Sequence, residues 1–265
     1  MKGLVILKLG GSVITRKAEG RPEVNHENLQ NLAKEIAEAR KTKEFPLIVV
    51  HGAGPFGHIP AKEYRLNDGL KKKEQIKGFV LTHQSMEKLN FVVVEELQKA
   101  GINAMAYQPS SAGMLKNKKI SKFSTETIKK LVIAGIVPVP YGDVLFDEKI
   151  GCAILSGDQL VPFLAEKLGA ERIILTADVA GIYDKDPKKN KDAVLLKEIT
   201  PETFKKTVVG PSLGVDVTGG MQGKLSELIR LAKKGTESEI IDGTRRGLLK
   251  KALLGERGLG TIIKR

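Results

Sequence analysis

Cysteine is nearly absent: Cys152 is the only one among 265 residues. That excludes an intrachain disulfide framework and a cysteine-rich zinc site. Beside Ala153, Ile154 and Leu155, a lone thiol reads more readily as a small core hydrophobe than as a nucleophile. Tryptophan is missing and aromatics make up only 5%, so the stacking side chains that nucleic-acid grooves use are scarce. No apolar run approaches the roughly 18 residues needed to cross a bilayer. The opening stretch, MKGLVILKLGG, carries Lys8 inside its short apolar run, which suits a buried strand better than a secretory signal. A cytoplasmic protein with neither a membrane nor a nucleic-acid partner is expected.

Positive charge and glycine, by contrast, are plentiful: a formal net charge of +13 and 28 glycines. Solvated Lys/Glu faces of the kind common in proteins from hot environments would leave such an excess. So would a field that draws in anionic ligands. The lysines are spread along the whole chain and are densest at Lys71–Lys73, with no nucleic-acid motif around them. A small phosphorylated substrate fits this distribution better than a polynucleotide does.

Short apolar runs alternate with longer helical patterns, the signature of a largely parallel sheet between helical layers. Strands are expected at residues 4–9, 47–50, 104–107, 136–140, 172–176, 239–241 and 261–263. Helices are expected at 28–39, about 78–100, 158–168, 219–234 and 248–254, and hairpins at 113–123 and 143–154. No linker or repeat interrupts the series. The chain therefore reads as one α/β domain over 1–265, a three-layer αβα sandwich around a largely parallel central sheet. Its N-terminal lobe, about 1–155, would bind an acceptor, and its C-terminal lobe, about 156–265, a nucleotide.

Five segments carry chemistry. Lys8, Gly10, Gly11 and Ser12 close the first strand. A buried charge there needs a partner, and paired glycines are equally a plain turn or an anion-binding nest. His51 to His58, HGAGPFGH, follows the second strand. It contains a formal GxGxxG, but the stretch near Lys77 has no strand ending in an acidic residue, so a dinucleotide-binding fingerprint is rejected. What remains is a second glycine turn with Ala53 and Gly54. Its closing His58 is either a buried structural histidine or a donor to a phosphate oxygen. In Ser156-Gly157-Asp158 the aspartate reads as a helix N-cap or as a group that orients a lysine. The loop from Ala177 to Pro187, with Asp178 and Tyr183, has the small and turn-forming residues that surround a nucleoside. Finally, Thr218-Gly219-Gly220-Met221-Gln222-Gly223-Lys224 opens a helix without matching a P-loop.

In this order, the five segments resemble the amino-acid kinase family over nearly the full chain. Within it, HGAGPFGH, KLGGSVITRK, Tyr141-Gly142-Asp143, SGDQL and DVTGGMQGK are similar to the isopentenyl phosphate kinases of archaeal type. A fosfomycin kinase, which also presents a histidine, is the nearest alternative, and a non-catalytic nucleotide-binding regulator a more distant one. The resemblance implies ATP and Mg²⁺ as cofactors, isopentenyl phosphate (and dimethylallyl phosphate) as acceptor, a homodimer, and no dedicated metal cage. It implies catalytic roles for Lys8, Lys17, Lys224, Asp158 and His58. ATP contacts would come from Lys8, Gly10, Gly11, Ser12, Gly54, Asp178, Tyr183, Gly220 and Lys224, and acceptor contacts from Ala53, Gly54, His58 and Gly157. Ala53 and Ala180 depart from the glycine and aspartate that many relatives carry. Phe79, Met86 and Phe91 on the long helix are candidates for a wall around an isoprenyl tail.

Overall fold

The computed structural model describes residues 1–18, 21–185, 187, 189–204 and 219–265, with the side chains of 17, 18 and 219–224 outside that description. In chain order the first half runs β1 (Val5–Leu9), α1 (Gly11–Ile14), β2 (Thr15–Ala18), β3 (Arg21–Val24), α2 (His26–Thr42), β4 (Leu47–His51), α3 (Gly54–Glu63), α4 (Lys73–Lys99), β5 (Ala104–Tyr107), α5 (Pro109–Ala112), β6 (Gly113–Lys116), β7 (Lys119–Phe123) and α6 (Glu126–Ile133). The second half runs β8 (Val137–Pro140), β9 (Asp143–Asp147), β10 (Gly151–Leu155), α7 (Gly157–Leu168), β11 (Arg172–Ala177), β12 (Glu198–Ile199), α8 (Gly219–Ala232), β13 (Glu237–Asp242), α9 (Leu248–Leu253) and β14 (Thr261–Ile263).

Six strands form the central sheet in the order β12-β14-β13-β11-β1-β4. All pair in parallel except β13 with β14. A single parallel bridge from His51 to Tyr141 carries the sheet on to β8, which pairs in parallel with β5. Hairpins β6–β7 and β9–β10 form a second, four-stranded sheet, as the polar–apolar pattern predicts.

Strand parity decides what each residue faces, because successive side chains point to opposite faces. On one face Leu7, Leu9, Val49, Ile174 and Ile241 pack with Leu29 and Leu32 of α2, Met86 and Leu89 of α4, and Leu249 of α9. On the other, Leu4, Ile6, Ile48, Val50, Ile173 and Leu175 pack with Leu160 and Leu164 of α7 and Leu225 and Leu228 of α8. With helices on both faces, the strands need no polar side, and that is why β1 and β4 are nearly continuous apolar runs. Lys8 extends the row Leu4-Ile6 toward α7; His51 extends the row Leu47-Val49 toward α4.

Some boundaries differ from expectation. The long helix begins at Lys73 rather than near Gly78, because Gln75 Oε1 accepts from the backbone N–H groups of Lys71 and Lys72 at 2.6 and 3.0 Å and secures the extra turn. Gly78 is a packing glycine inside it, since a methyl there would strike the Tyr64 side chain. Helix α3, which follows the second glycine turn, and the hairpin β2–β3 are also unannounced by periodicity. Cys152 is fully buried, with its thiol pushed up to about 11 by burial, as a core residue should be.

Candidate active site

A cleft of about 1150 Å³ opens at the C-terminal ends of β1, β4 and β11, where ligands gather in open α/β sheets. That volume exceeds what one small ligand requires. Ten of the catalytic and contact residues that the resemblance implies line it: Lys8, Gly10, Gly11, Ser12, Ala53, Gly54, His58, Gly157, Asp158 and Asp178.

Lys8 is only 7% exposed, so its charge must be paired. Its Nζ donates to Asp158 Oδ1 at 2.6 Å. Gly157 leaves room for this contact, since a Cβ there would lie 3.3 Å from both Lys8 Cε and the His51 carbonyl oxygen. Asp158 is not the N-cap of α7. Ser156 is, accepting from the Gln159 N–H at 3.2 Å, so the N-cap reading is corrected and the Asp158 carboxylate is turned to the lysine. The N-terminus of α7 thereby faces the cleft with its positive dipole end.

The two glycine turns differ. Gly10 is extended (φ −62°, ψ 138°) and leads into the single turn of α1. Its N–H donates to Thr176 Oγ1 at 3.1 Å, and that hydroxyl donates to the Lys8 carbonyl at 3.2 Å. In the second turn Ala53 is right-handed (φ −84°, ψ −35°) and Gly54 follows with φ 51°. A right-handed residue followed by a left-handed one aims successive N–H groups to one side, here a nest of two donors, Ala53 and Gly54, because Pro55 at the next position has no N–H. Ala53 needs no glycine at that φ, so its departure from many relatives leaves the turn intact. The turns touch backbone to backbone: a side chain on Gly11 would strike the Gly54 nitrogen, and one on Gly52 would lie 2.8 Å from the Gly11 nitrogen.

His58 projects from α3, exposed and lining the cleft; the buried structural alternative does not hold. Ser12 Oγ donates to Asp178 Oδ1 at 2.9 Å, tying the first turn to the end of β11. Tyr183 is half-buried in a bridge with Leu195 and is not among the described lining residues. Lys17 lies in β2 and Gly220 and Lys224 in α8, but their side chains lie outside the described residues.

Beyond His58 the cleft wall is formed by Ala61, Thr82, Met86 and Ile154. Of the three aromatic and sulfur candidates on α4, Met86 lines it. Phe79 instead packs on Phe146 at 5.0 Å. Phe91 is 68% exposed because five residues advance a helix by about 140° past Met86. The same wall carries Asp143, whose carboxylate is fully buried and sits 3.0 Å from His83 Nδ1. Asp143 draws the His83 imidazole above its ordinary range. Nothing in the local pattern around His83 signals this pairing; only the tertiary fold brings it to Asp143.

The sequence profile of the amino acid kinase family matches residues 3–242. The isopentenyl phosphate kinase of Methanothermobacter thermautotrophicus is 42% identical, with 98% of each chain covered. That of Arabidopsis thaliana is 33% identical, with 98% of this chain and 95% of the plant protein covered. Among solved structures, an X-ray structure of isopentenyl phosphate kinase superposes with a TM-score of 0.85 at 40% identity, covering 98% of this chain and all of the other.

Proposed function

The chain belongs to the amino acid kinase family, and on that premise we infer that it is an isopentenyl phosphate kinase, moving the γ-phosphoryl group of ATP onto isopentenyl phosphate to give isopentenyl diphosphate and ADP. The observation that carries this reading is the single cleft in which the Lys8–Asp158 pair, the Ala53–Gly54 nest, His58 and the N-terminus of α7 stand together.

An oxygen of the acceptor phosphate attacks the γ-phosphorus, and the bond from that phosphorus to the β,γ-bridging oxygen breaks. A phosphate monoester is largely dianionic near neutral pH, with a second pKa of about 6. No general base is needed, and His58 serves as a donor to the acceptor phosphate. Two anions must then be held in line while charge spreads over the travelling group, a task of positioning and electrostatics. Lys8 and Lys224 hold the ATP phosphates in this reading, Lys17 adds charge at the transferring group, and Asp158 fixes the direction of Lys8. Gly11, Gly54 and Gly220 present backbone donors, while Ser12, Asp178 and Tyr183 belong to the nucleotide side; the Gly10 N–H, expected among the donors, is engaged by Thr176 Oγ1, so Gly10 serves by letting the turn pass against the Thr176 backbone. Ala53, Gly54, His58 and Gly157 belong to the acceptor side. The acceptor takes mainly the half up to about residue 155 and the nucleotide mainly the half from about 156, with Lys8, Gly10, Gly11 and Ser12 reaching the nucleotide from the first half and Gly157 the acceptor from the second.

Mg²⁺ arrives with ATP, bound mainly through phosphate oxygens and water. Among the described residues no three His, Cys, Asp or Glu side chains cluster as a cage. No helix among the described residues is long and apolar enough to cross a membrane; a cytoplasmic site of action is part of the same reading. A homodimer is assigned as well. Phe91 on α4, Met105 on β5 and Ile133 on α6, 68%, 49% and 69% exposed, are the kind of apolar surface a second copy covers.

An ADP-release assay across isopentenyl phosphate, dimethylallyl phosphate, fosfomycin, acetylglutamate and UMP tests the function. Isopentenyl phosphate is expected to give the highest kcat/KM, followed by dimethylallyl phosphate. Preference for fosfomycin, or no turnover with any of the five, would overturn the assignment.

A further inference from the structure

His51 is fully buried at the end of β4, and the proposed chemistry makes no use of it. Its surroundings fix every proton in a short chain of hydrogen bonds. The chain starts at the Val139 carbonyl oxygen, which can only accept. Asn90 of α4 places its amide nitrogen 3.0 Å from that oxygen and 3.1 Å from His51 Nε2. Because the carbonyl requires the NH₂ group there, the amide orientation is settled and Nε2 must accept. The proton therefore sits on Nδ1, 3.0 Å from the Gly52 carbonyl oxygen, which again can only accept. Burial lowers the imidazole pKa to about 4, so the ring stays neutral at working pH, and Tyr141 stacks on it with centroids 5.4 Å apart.

The Gly52 carbonyl belongs to the same peptide unit as the Ala53 N–H. The described backbone contains no cis peptide bond, and in a trans unit the carbonyl and the N–H point in opposite directions. A carbonyl held against the buried imidazole leaves the Ala53 N–H directed away from it, on the residue that opens the nest and lines the cleft. Glycine at 52 would otherwise let this unit rotate. A flipped unit would present a carbonyl oxygen to an incoming phosphate in place of a donor.

We propose that His51, fixed as the Nδ1–H tautomer by Asn90, is a positioning residue that locks the Gly52–Ala53 peptide so that the Ala53 N–H donates to the acceptor phosphate. The inference rests on the reading above that the nest takes the acceptor phosphate. One lost charge-assisted donor corresponds to about ten- to a hundredfold in affinity.

The test compares His51→Phe, which keeps a ring to stack on Tyr141 but has no donor, with His51→Asn, whose amide nitrogen can occupy the Nδ1 position. His51→Phe is expected to raise KM for isopentenyl phosphate by about ten- to a hundredfold with KM for ATP within about twofold, and His51→Asn to recover most of the loss. Equal rises in both KM values, or Asn performing no better than Phe, would overturn the proposal. Wild-type turnover of isopentenyl phosphate is measured alongside, so failure of the functional reading is seen separately. Folding of the variants is not required for the second measurement. In ¹⁵N-histidine spectra of the wild-type enzyme, which has four histidines, the resonance assigned to His51 through its contact with the Tyr141 ring should show protonated Nδ1 and bare Nε2 at pH 7. An Nε2–H tautomer or an imidazolium would end the argument.

Discussion

Lys8 and Asp158 lie 150 positions apart in the chain and 2.6 Å apart in the fold. Strand parity turns Lys8 toward α7, and the Ser156 cap starts that helix so that Asp158 falls on its first turn. The pair gives an almost buried ammonium its counter-charge where both residues line the cleft. Lys8→Ala is expected to cut kcat by about two orders of magnitude or more, the usual cost of losing one preorganised charge contact. Steady-state kinetics on a variant with an unchanged circular dichroism spectrum decides this, and near-wild-type turnover would refute the role.

The contact between the two glycine turns makes a sharper prediction about substitution. Gly11→Ala would drive a methyl into the Gly54 backbone, whereas Gly247, with φ 80°, has nothing within 4 Å of its would-be Cβ. Gly247→Ala should cost only the left-handed strain of about 1 kcal/mol and leave kcat/KM alone. Gly11→Ala should lose at least tenfold in kcat/KM, because small misplacements of reacting groups are expensive. Thermal melts and kinetics on both variants separate stability from activity; equal activity losses would count against the interlocked turns.

His58→Ala removes a cleft-lining donor without disturbing buried packing. KM for isopentenyl phosphate should rise by about tenfold or more, the worth of a hydrogen bond to a charged group, while KM for ATP stays nearly constant. Two-substrate kinetics supplies both numbers. An unchanged acceptor KM would remove His58 from the site.

The layers of the fold are legible in the sequence because the buried strands are short apolar runs and the helices α2, α7 and α9 repeat at helical spacing. The one-turn helix α1, the hairpin β2–β3 and helix α3 are not, because backbone contact between the glycine turns shapes that region and apolar periodicity does not. Within the site, lysines and glycines announce themselves by their oddness: a charge in a buried strand, paired glycines where the strand ends. His51 carries no such mark. Its significance comes from Asn90, 39 positions away, and from a carbonyl direction that no residue pattern encodes. His83 is silent for the same reason, acquiring meaning only when the fold sets it against Asp143. Phe91 shows the converse failure, since an aromatic residue on the correct helix still points the wrong way.

The fully buried His51 and the half-buried His83 bend the pH profile of stability in opposite senses. His83, held above its ordinary range by Asp143, contributes stability that is complete below about pH 6.5 and is lost as pH rises through its folded value. His51 does the reverse. Burial holds it neutral down to about 4, whereas in the unfolded chain it takes up a proton near pH 6.5. Between those values the unfolded state binds more protons, so stability falls as the solution is acidified. From pH 7.5 to pH 5 the His51 share of that loss is about 2 kcal/mol, and pH 5 still lies above the ordinary range of carboxylates, so their titration contributes little. Urea melts of the wild type at the two pH values should therefore show a drop that shrinks by about 2 kcal/mol in His51→Asn, even though the variant is less stable at pH 7.5. A variant whose acid loss matches that of the wild type would mean that the imidazole is not held neutral by its burial beneath Tyr141, and the proton assignment running from Val139 to Gly52 would fail with it.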